Sequence, residues 1–259
     1  MPYFLHDNVN LHYEVHGSGD VVLLIHGFLE SSNMWDDVVP TLSKNKQVLC
    51  LDLPGFGKSD CERKIHTMSF FSTCIDALLI ELKINDCTLI GHSMGGYVAL
   101  AALNVCPEKI NHICLFHSTA MSDSEDRKKN RERAVASIEY KKSVYLKTSI
   151  PFLFQEIFLK RGAMKIDKMV AEANEFSETA IIAALKGMAQ RRDTNRVLKM
   201  FSGKKTYIFG AEDPVLSSLS LKQEALENDA TFIEIKDAGH MSHLEAPEKA
   251  LEAIKKATS

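Results

Sequence analysis

A series of short apolar runs, each stopping at glycine or a small polar residue, constrains this chain more than any other feature. Val21-Val22-Leu23-Leu24-Ile25 stops at His26-Gly27, Gln47-Val48-Leu49-Cys50-Leu51 at Asp52, and Cys87-Thr88-Leu89-Ile90 at Gly91. Ile113-Cys114-Leu115-Phe116 stops near Ser118, and Thr206-Tyr207-Ile208-Phe209 at Gly210. Runs of this length without alternation fit strands buried on both faces. Leu11–Val15 alternates and reads as an edge strand, and Thr231–Ile235 supplies another strand just before His240. Helix-period stretches over about 68–83, 94–106, 215–228 and 245–257 separate most of the runs. Strand alternating with helix predicts an α/β fold with a doubly wound, mostly parallel sheet. In such sheets ligands bind beyond the carboxyl ends of the strands.

The alternation fails between about Ala120 and Arg192, which has no convincing strand and reads as several amphipathic helices. The expected division is a core of residues 1–119 and 193–259 with an inserted helical cap over 120–192. The charged segment Ser122–Arg133 mixes both signs, the pattern of a solvated helix face. Phe152, Leu153, Phe154 and Phe158 suit helix packing, or a roof over the strand ends.

Gly91-His92-Ser93-Met94-Gly95-Gly96 follows a buried strand and opens a helix, the setting of a G-x-S-x-G nucleophile elbow. Glycine on both sides gives the chain room to fold back, so that the Ser93 hydroxyl projects clear. A serine hydroxyl needs a base within hydrogen-bond reach. Among ten histidines, His240 follows the last strand and precedes the last helix, which puts it over the strand ends. His243 is its rival and otherwise a loop-shaping residue, while His92 and His26 read as structural. The imidazole needs a carboxylate to hold its tautomer. Asp213 follows the strand ending at Gly210, with Glu212 as the substitute, and Pro214 is expected to begin the next helix. The chain order Ser93, Asp213, His240 is the one this kind of elbow calls for.

Acyl transfer also needs two donors for the developing oxyanion. The Met94 amide, at a helix N-terminus, is one candidate, and the Phe28 amide, after the Gly27 turn, is the other. Phe28, Phe154 and Met241 are the candidate substrate-lining residues. No metal site is called for: the cysteines form no C-x-x-C pair.

A formal net charge of -3 argues against a nucleic-acid or anionic-membrane surface. Six cysteines, several inside apolar runs, suit free thiols in a reducing compartment. The N-terminal residues lack the pattern of a signal peptide, and no apolar run reaches the roughly 18 residues of a membrane span. A cytoplasmic location is expected, and the sequence leaves the oligomeric state open.

With these segments in hand the chain resembles the α/β-hydrolase superfamily, in particular its small, capped, esterase-like members. The resemblance rests on Leu24–Phe28, Asp52–Ser59, the Ser93 elbow, Gly210–Pro214 and Ala238–Met241. It implies an eight-stranded, mostly parallel sheet, no cofactor, and a small-molecule ester as the partner. Serine rather than aspartate at the elbow disfavours the haloalkane dehalogenase and epoxide hydrolase branches. The loop after Gly27 is not the glycine-rich lipase type. Ester hydrolysis through a Ser93 acyl-enzyme leads. Carbon–carbon cleavage, or elimination as in a menaquinone-pathway lyase, uses the same triad and would want a cation for a substrate carboxylate, with Arg191 and Arg192 as candidates. A ligand-sensing receptor with a retained triad is the third reading.

Overall fold

The structure, a computed structural model, describes residues 2–60 and 63–259. Eight strands form one sheet: β1 (Tyr3–His6), β2 (Val9–Gly17), β3 (Asp20–Ile25), β4 (Lys46–Leu51), β5 (Cys87–His92), β6 (Ile110–Phe116), β7 (Lys204–Gly210) and β8 (Thr231–Ile235). Their order is β1-β2-β4-β3-β5-β6-β7-β8. β1 and β2 pair antiparallel, β2 joins β4 antiparallel, and every later pairing is parallel. The sheet is therefore the mostly parallel one the apolar runs predict. β1 is the strand those runs do not reveal. Only Phe4 of its four residues is buried, and Asp7 and Asn8, both at positive φ, turn it into β2. Asp and Asn tolerate that left-handed backbone, which two-residue hairpin turns require.

The central strands are covered on both faces. Leu23, Ile25, Leu49, Leu51, Leu89, Ile113 and Leu115 pack into one core. Their alternates Val22, Leu24, Val48, Cys50, Ile90 and Cys114 pack into the other. That two-sided burial explains the unbroken apolar runs. The helices between strands are α1 (Val39–Leu42), α2 (Met68–Glu81) and α3 (Met94–Ala102). Towards the C-terminus come α9 (Ser218–Glu227), α10 (Ser242–Glu245) and α11 (Pro247–Ala257). Thr67 starts α2 by accepting the Phe70 amide, and Ser217 starts α9 by accepting the Ser220 amide. Pro214 therefore does not begin the helix after β7. It stays in the loop, and Asp213 is free of a capping role on α9.

Between β6 and β7 run α4 (Glu125–Ser149, kinked at Lys141), α5 (Glu156–Arg161), α6 (Ala163–Glu175), α7 (Glu178–Ala189) and α8 (Asn195–Met200). This helical insertion is fastened to the sheet layer at close range. A Cβ on Gly187 of α7 would stand 1.7 Å from the His66 carbonyl oxygen, so only glycine lets the two backbones touch. The His66 amide donates to the Ala183 carbonyl, and Phe176 meets Phe56 edge-on at 5.2 Å. Among the described residues no helix is long and apolar enough to cross a membrane. Cys50, Cys74, Cys87, Cys106 and Cys114 are buried free thiols, and Cys61 lies outside the described residues.

Candidate active site

Parallel register lines up the strand ends that carry the predicted residues. Ile25 of β3 pairs with Gly91 of β5, His92 with Phe116 of β6, Phe116 with Ile208 of β7, and Gly210 with Ile235 of β8. Ser93 follows β5 with φ 49° and ψ −111°, a backbone strained for a residue with a side chain. Its amide donates to the Phe116 carbonyl, and the Ser118 hydroxyl donates to the Ser93 carbonyl. The glycines around it have no room for a side chain. A Cβ on Gly91 would meet the Gly95 backbone at 2.3 Å, and one on Gly95 would meet the Ile25 carbonyl oxygen at 2.4 Å. Helix α3 is thereby pressed against the end of β3, and the Met94 amide is brought towards the loop carrying Phe28. Neither the Phe28 nor the Met94 amide donates to another described protein group.

Ser93, His240 and Asp213 come together. His240 Nε2 lies 2.9 Å from Ser93 Oγ, and His240 Nδ1 lies 2.8 Å from Asp213 Oδ2. With Nδ1–H donating to the carboxylate, Nε2 is left to accept the serine proton. Asp213 Oδ1 accepts the amides of Val215 and Leu216, which fixes the carboxylate plane. Burial pushes the Asp213 carboxyl up, but His240 and His117 outweigh it and hold the group far below the ordinary carboxylate range. Glu212 is exposed and takes no part.

His117, Glu245 and Glu30 support this arrangement, and sequence reasoning assigned none of the three. His117, at φ 50° just past β6, donates from Nδ1 to the same Asp213 oxygen at 3.0 Å. Its Nε2 pairs with the Ser242 hydroxyl at 2.7 Å, and burial drives its pKa down to about 4, so the ring is neutral. Glu245 accepts the amides of Gly239, Met241 and Gln155 and so shapes the His240 loop. Asp52-Leu53 and His26 brace the neighbouring turn: His26 donates to the Gly27 carbonyl and accepts the Leu53 amide. His117, Asp213 and His240 are the one described trio whose ligand atoms lie within 4.8 Å of one another, and those atoms are engaged in the bonds just given.

The third is Glu30, partner of His92. His92 Nδ1 lies 2.7 Å from Glu30 Oε2, and His92 Nε2 lies 3.1 Å from the His240 carbonyl oxygen. Both partners are acceptors, so both ring nitrogens must carry protons and His92 is a buried imidazolium. Burial opposes that charge, yet Glu30 beside it raises the His92 pKa, while Glu30 itself is held down to about 2. Glu30 also accepts the Gly27 amide at 3.1 Å. One ion pair thus ties the loop presenting Phe28 to the loop presenting His240. His243 flanks it, 3.4 Å from Glu30 Oε1, with burial pushing its pKa down to about 3.

A cavity of about 270 Å³ opens over Ser93 and His240. Phe28 and Met241 line it. Phe154 does not. It is buried, stacked on Phe158 at 5.4 Å, and its neighbour Leu153 takes the place on the cavity wall. Packing of successive side chains to opposite sides of a short turn is the physical reason. Arg191 and Arg192 are also absent from this wall. Arg191 pairs with buried Asp123 at 2.6 Å and lies 3.9 Å over the Tyr97 ring, and Arg192 lines a separate cavity beside α2. The cations that do line the wall are Arg127 and Arg131 of α4. They belong to a segment whose mixed charges read as a solvated face, and most of α4 is indeed exposed.

A family model described as the alpha/beta hydrolase fold matches residues 20–137. The chain is 27% identical over 242 residues to the dihydrolipoyllysine-residue acetyltransferase component of an acetoin cleaving system from Pseudomonas putida, an alignment covering 92% of this chain and 63% of that protein. It is 33% identical over 119 residues to the uncharacterized hydrolase YugF of Bacillus subtilis, covering 45% of this chain and 44% of the relative. The chain therefore spans less than two thirds of the length of these relatives. Among solved structures, a malate-bound thermophilic esterase from Thermogutta terrifontis superposes with a TM-score of 0.90 at 28% identity, covering 96% of this chain and 92% of the other. An enol-lactonase from Burkholderia xenovorans superposes at 0.91 with 20% identity and 99% coverage of both chains, a likeness of fold.

Proposed function

Since the chain belongs to the α/β-hydrolase superfamily, we propose that it is a serine hydrolase cleaving a small carboxylic ester through an acyl-enzyme on Ser93. The observation that carries this reading is the continuous hydrogen-bond chain from Ser93 Oγ through His240 to Asp213 at the floor of a cavity. Ser93 Oγ attacks the ester carbonyl carbon while His240 Nε2 takes its proton. The carbonyl oxygen becomes an oxyanion held by the Phe28 and Met94 amides, a contribution of about 3–4 kcal/mol per donor in comparable sites. His240 returns the proton to the departing alkoxide. Water then repeats the sequence against the acyl-enzyme, freeing the acid and restoring Ser93. Asp213 holds the His240 tautomer and stabilises the imidazolium that forms at each step.

In the same reading residues 120–192 act as a cap on the core of 1–119 and 193–259, and the enzyme works in the cytoplasm. The five described cysteines are free thiols, the state expected in a reducing compartment. Carbon–carbon cleavage by the same residues is favoured by one observation only, the two arginines on the cavity wall. The test is labelling with a fluorophosphonate followed by peptide mapping. A single adduct on Ser93, lost in Ser93→Ala together with turnover of short p-nitrophenyl esters, is the expected result. An adduct on another serine, or none, overturns the assignment.

A further inference from the structure

The charges on the wall of the Ser93 cavity do not balance. Two carboxylates lie nearest: Glu30, matched by the His92 imidazolium, and Asp213, enclosed behind His240 with its side chain fully buried. Behind Arg131, which lines the wall, Asp123 is fully buried between two guanidinium groups, Arg131 at 2.5 Å and Arg191 at 2.6 Å, so that group keeps one positive charge. Arg127, one helical turn before Arg131, has no carboxylate partner within 4 Å among the described residues. Its guanidinium donates to the Val215 carbonyl, which aims it at the loop holding Asp213. Asn130 sits between the two arginines on the same wall.

This placement runs against the cost of desolvation. A cation beside a small cavity loses water contacts on that side, and proteins pair such charges or give them a ligand. The remaining lining is apolar, with Leu153, Leu185, Met188 and Val215 among it. At about 270 Å³ the cavity lies just below the roughly 300–1,000 Å³ of most small-molecule sites. One compact molecule must therefore reach both Ser93 and the arginines. The surrounding insertion is cationic as a whole: residues 120–192 hold 15 Lys and Arg against 10 Asp and Glu, whereas the rest of the chain carries 16 against 24.

We infer that the substrate is a compact ester bearing a carboxylate, which Arg127 and Arg131 bind at the end away from Ser93 while a short apolar stretch lies between. This rests on the ester-hydrolase reading above and narrows it to anionic esters. Guanidinium binds carboxylate through paired N–H donors, which also fixes the direction in which the substrate lies.

The test compares kcat/KM for monomethyl glutarate, with the carboxylate on the acyl side, acetoxyacetate, with it on the alcohol side, and uncharged methyl pentanoate. One anionic ester is expected to exceed methyl pentanoate by about tenfold or more, as a hydrogen-bonded charge would give. Which of the two leads tells where the carboxylate lies. Arg127→Gln should bring that ratio close to one, mainly through KM, and Arg127→Lys should restore part of it. A wild-type ratio of one or less, or a ratio unchanged in both Arg127→Gln and Arg131→Gln, overturns the inference. Failure of the hydrolase reading looks different: Ser93 stays unlabelled and no ester is turned over. Calorimetric titration with glutarate then decides. Binding that weakens about tenfold in Arg127→Gln sustains the anion site, and equal or absent binding removes it.

Discussion

The strand-end floor and the helical insertion above it solve opposite electrostatic problems. All ten histidines lie outside residues 120–192, and the insertion holds almost half of the lysines and arginines. On the floor, charge is enclosed and matched partner by partner: Asp213 by two histidines and two amides, Glu30 by His92 and the Gly27 amide. In the insertion, charge is largely solvated along α4 and left in excess where that helix faces the cavity. Under the proposed function the difference has a reason: a floor that is to move protons needs groups whose charge states are fixed by neighbours, whereas a roof that is to select a ligand needs charge left over for it.

The sharpest way to break this comparison is to remove one charge from the floor without changing its shape. Asp213→Asn keeps the volume and most hydrogen bonds but turns the carboxylate into an amide. Its effect on kcat is expected to be about ten-thousand-fold, as the His240 ring is left in the wrong tautomer. Circular dichroism should remain that of the wild type. A kcat within tenfold of wild type would mean that the matched charges on the floor serve folding rather than proton transfer.

The floor was legible in the sequence because each of its main residues is tied to a strand end and a glycine. The apolar run before Ser93 and the glycines at 91 and 95 mark a tight strand-to-helix turn, and the loop positions of Asp213 and His240 follow from strand order. The partners Glu30, His117 and Glu245 were not legible. They bond across 62, 96 and up to 90 residues of sequence, and nothing local distinguishes them from other polar loop residues. The insertion was legible only as helices. Which side of a short turn faces the cavity decides between Leu153 and Phe154, and one residue of rotation lies below what apolar patterning resolves. The same limit hid Arg127 and Arg131 within a run of mixed charges and favoured Arg191 and Arg192, of which Arg191 has its charge shared by Asp123.

A second measurement sharpens the comparison on the roof. Phe154 packs on Phe158 and Leu153 lines the cavity, so adjacent substitutions should separate stability from selectivity. Phe154→Ala is expected to cost about 3 kcal/mol, at the low end for a buried phenylalanine because the site is near the surface. It should leave the acyl-length profile unchanged. Leu153→Ala should shift that profile towards longer acyl groups with a smaller loss of melting temperature. The reverse pattern would return Phe154 to the roof.

The smallest effect expected is on stability in mild acid, and it belongs to the histidine-bearing layer alone. Burial lowers His66, His112 and His117 to about 4 and His243 to about 3. In the unfolded chain the same rings titrate near 6.5. Between these values the unfolded chain binds more protons than the folded one, so stability rises with pH across the window and is lost as pH falls from about 6.5 towards 4. His92 has the opposite sign. Its pKa is raised, so its contribution is complete below the unfolded value and fades only as pH climbs through the folded one. Burial lowers His6 and His26 as well, and six rings against one predict a melting temperature that drops steadily between pH 7 and 4.5. His112 allows the effect to be located, because it lies on β6 at the far end from Ser93, bonded to the Thr206 hydroxyl at 2.9 Å. His112→Gln should make the acid slope shallower by roughly the share of one ring while ester turnover keeps its wild-type pH profile. A melting temperature that stays flat over this range would show that the folded protein accepts these protons, and the fixed charge states attributed to the floor would then fail with it.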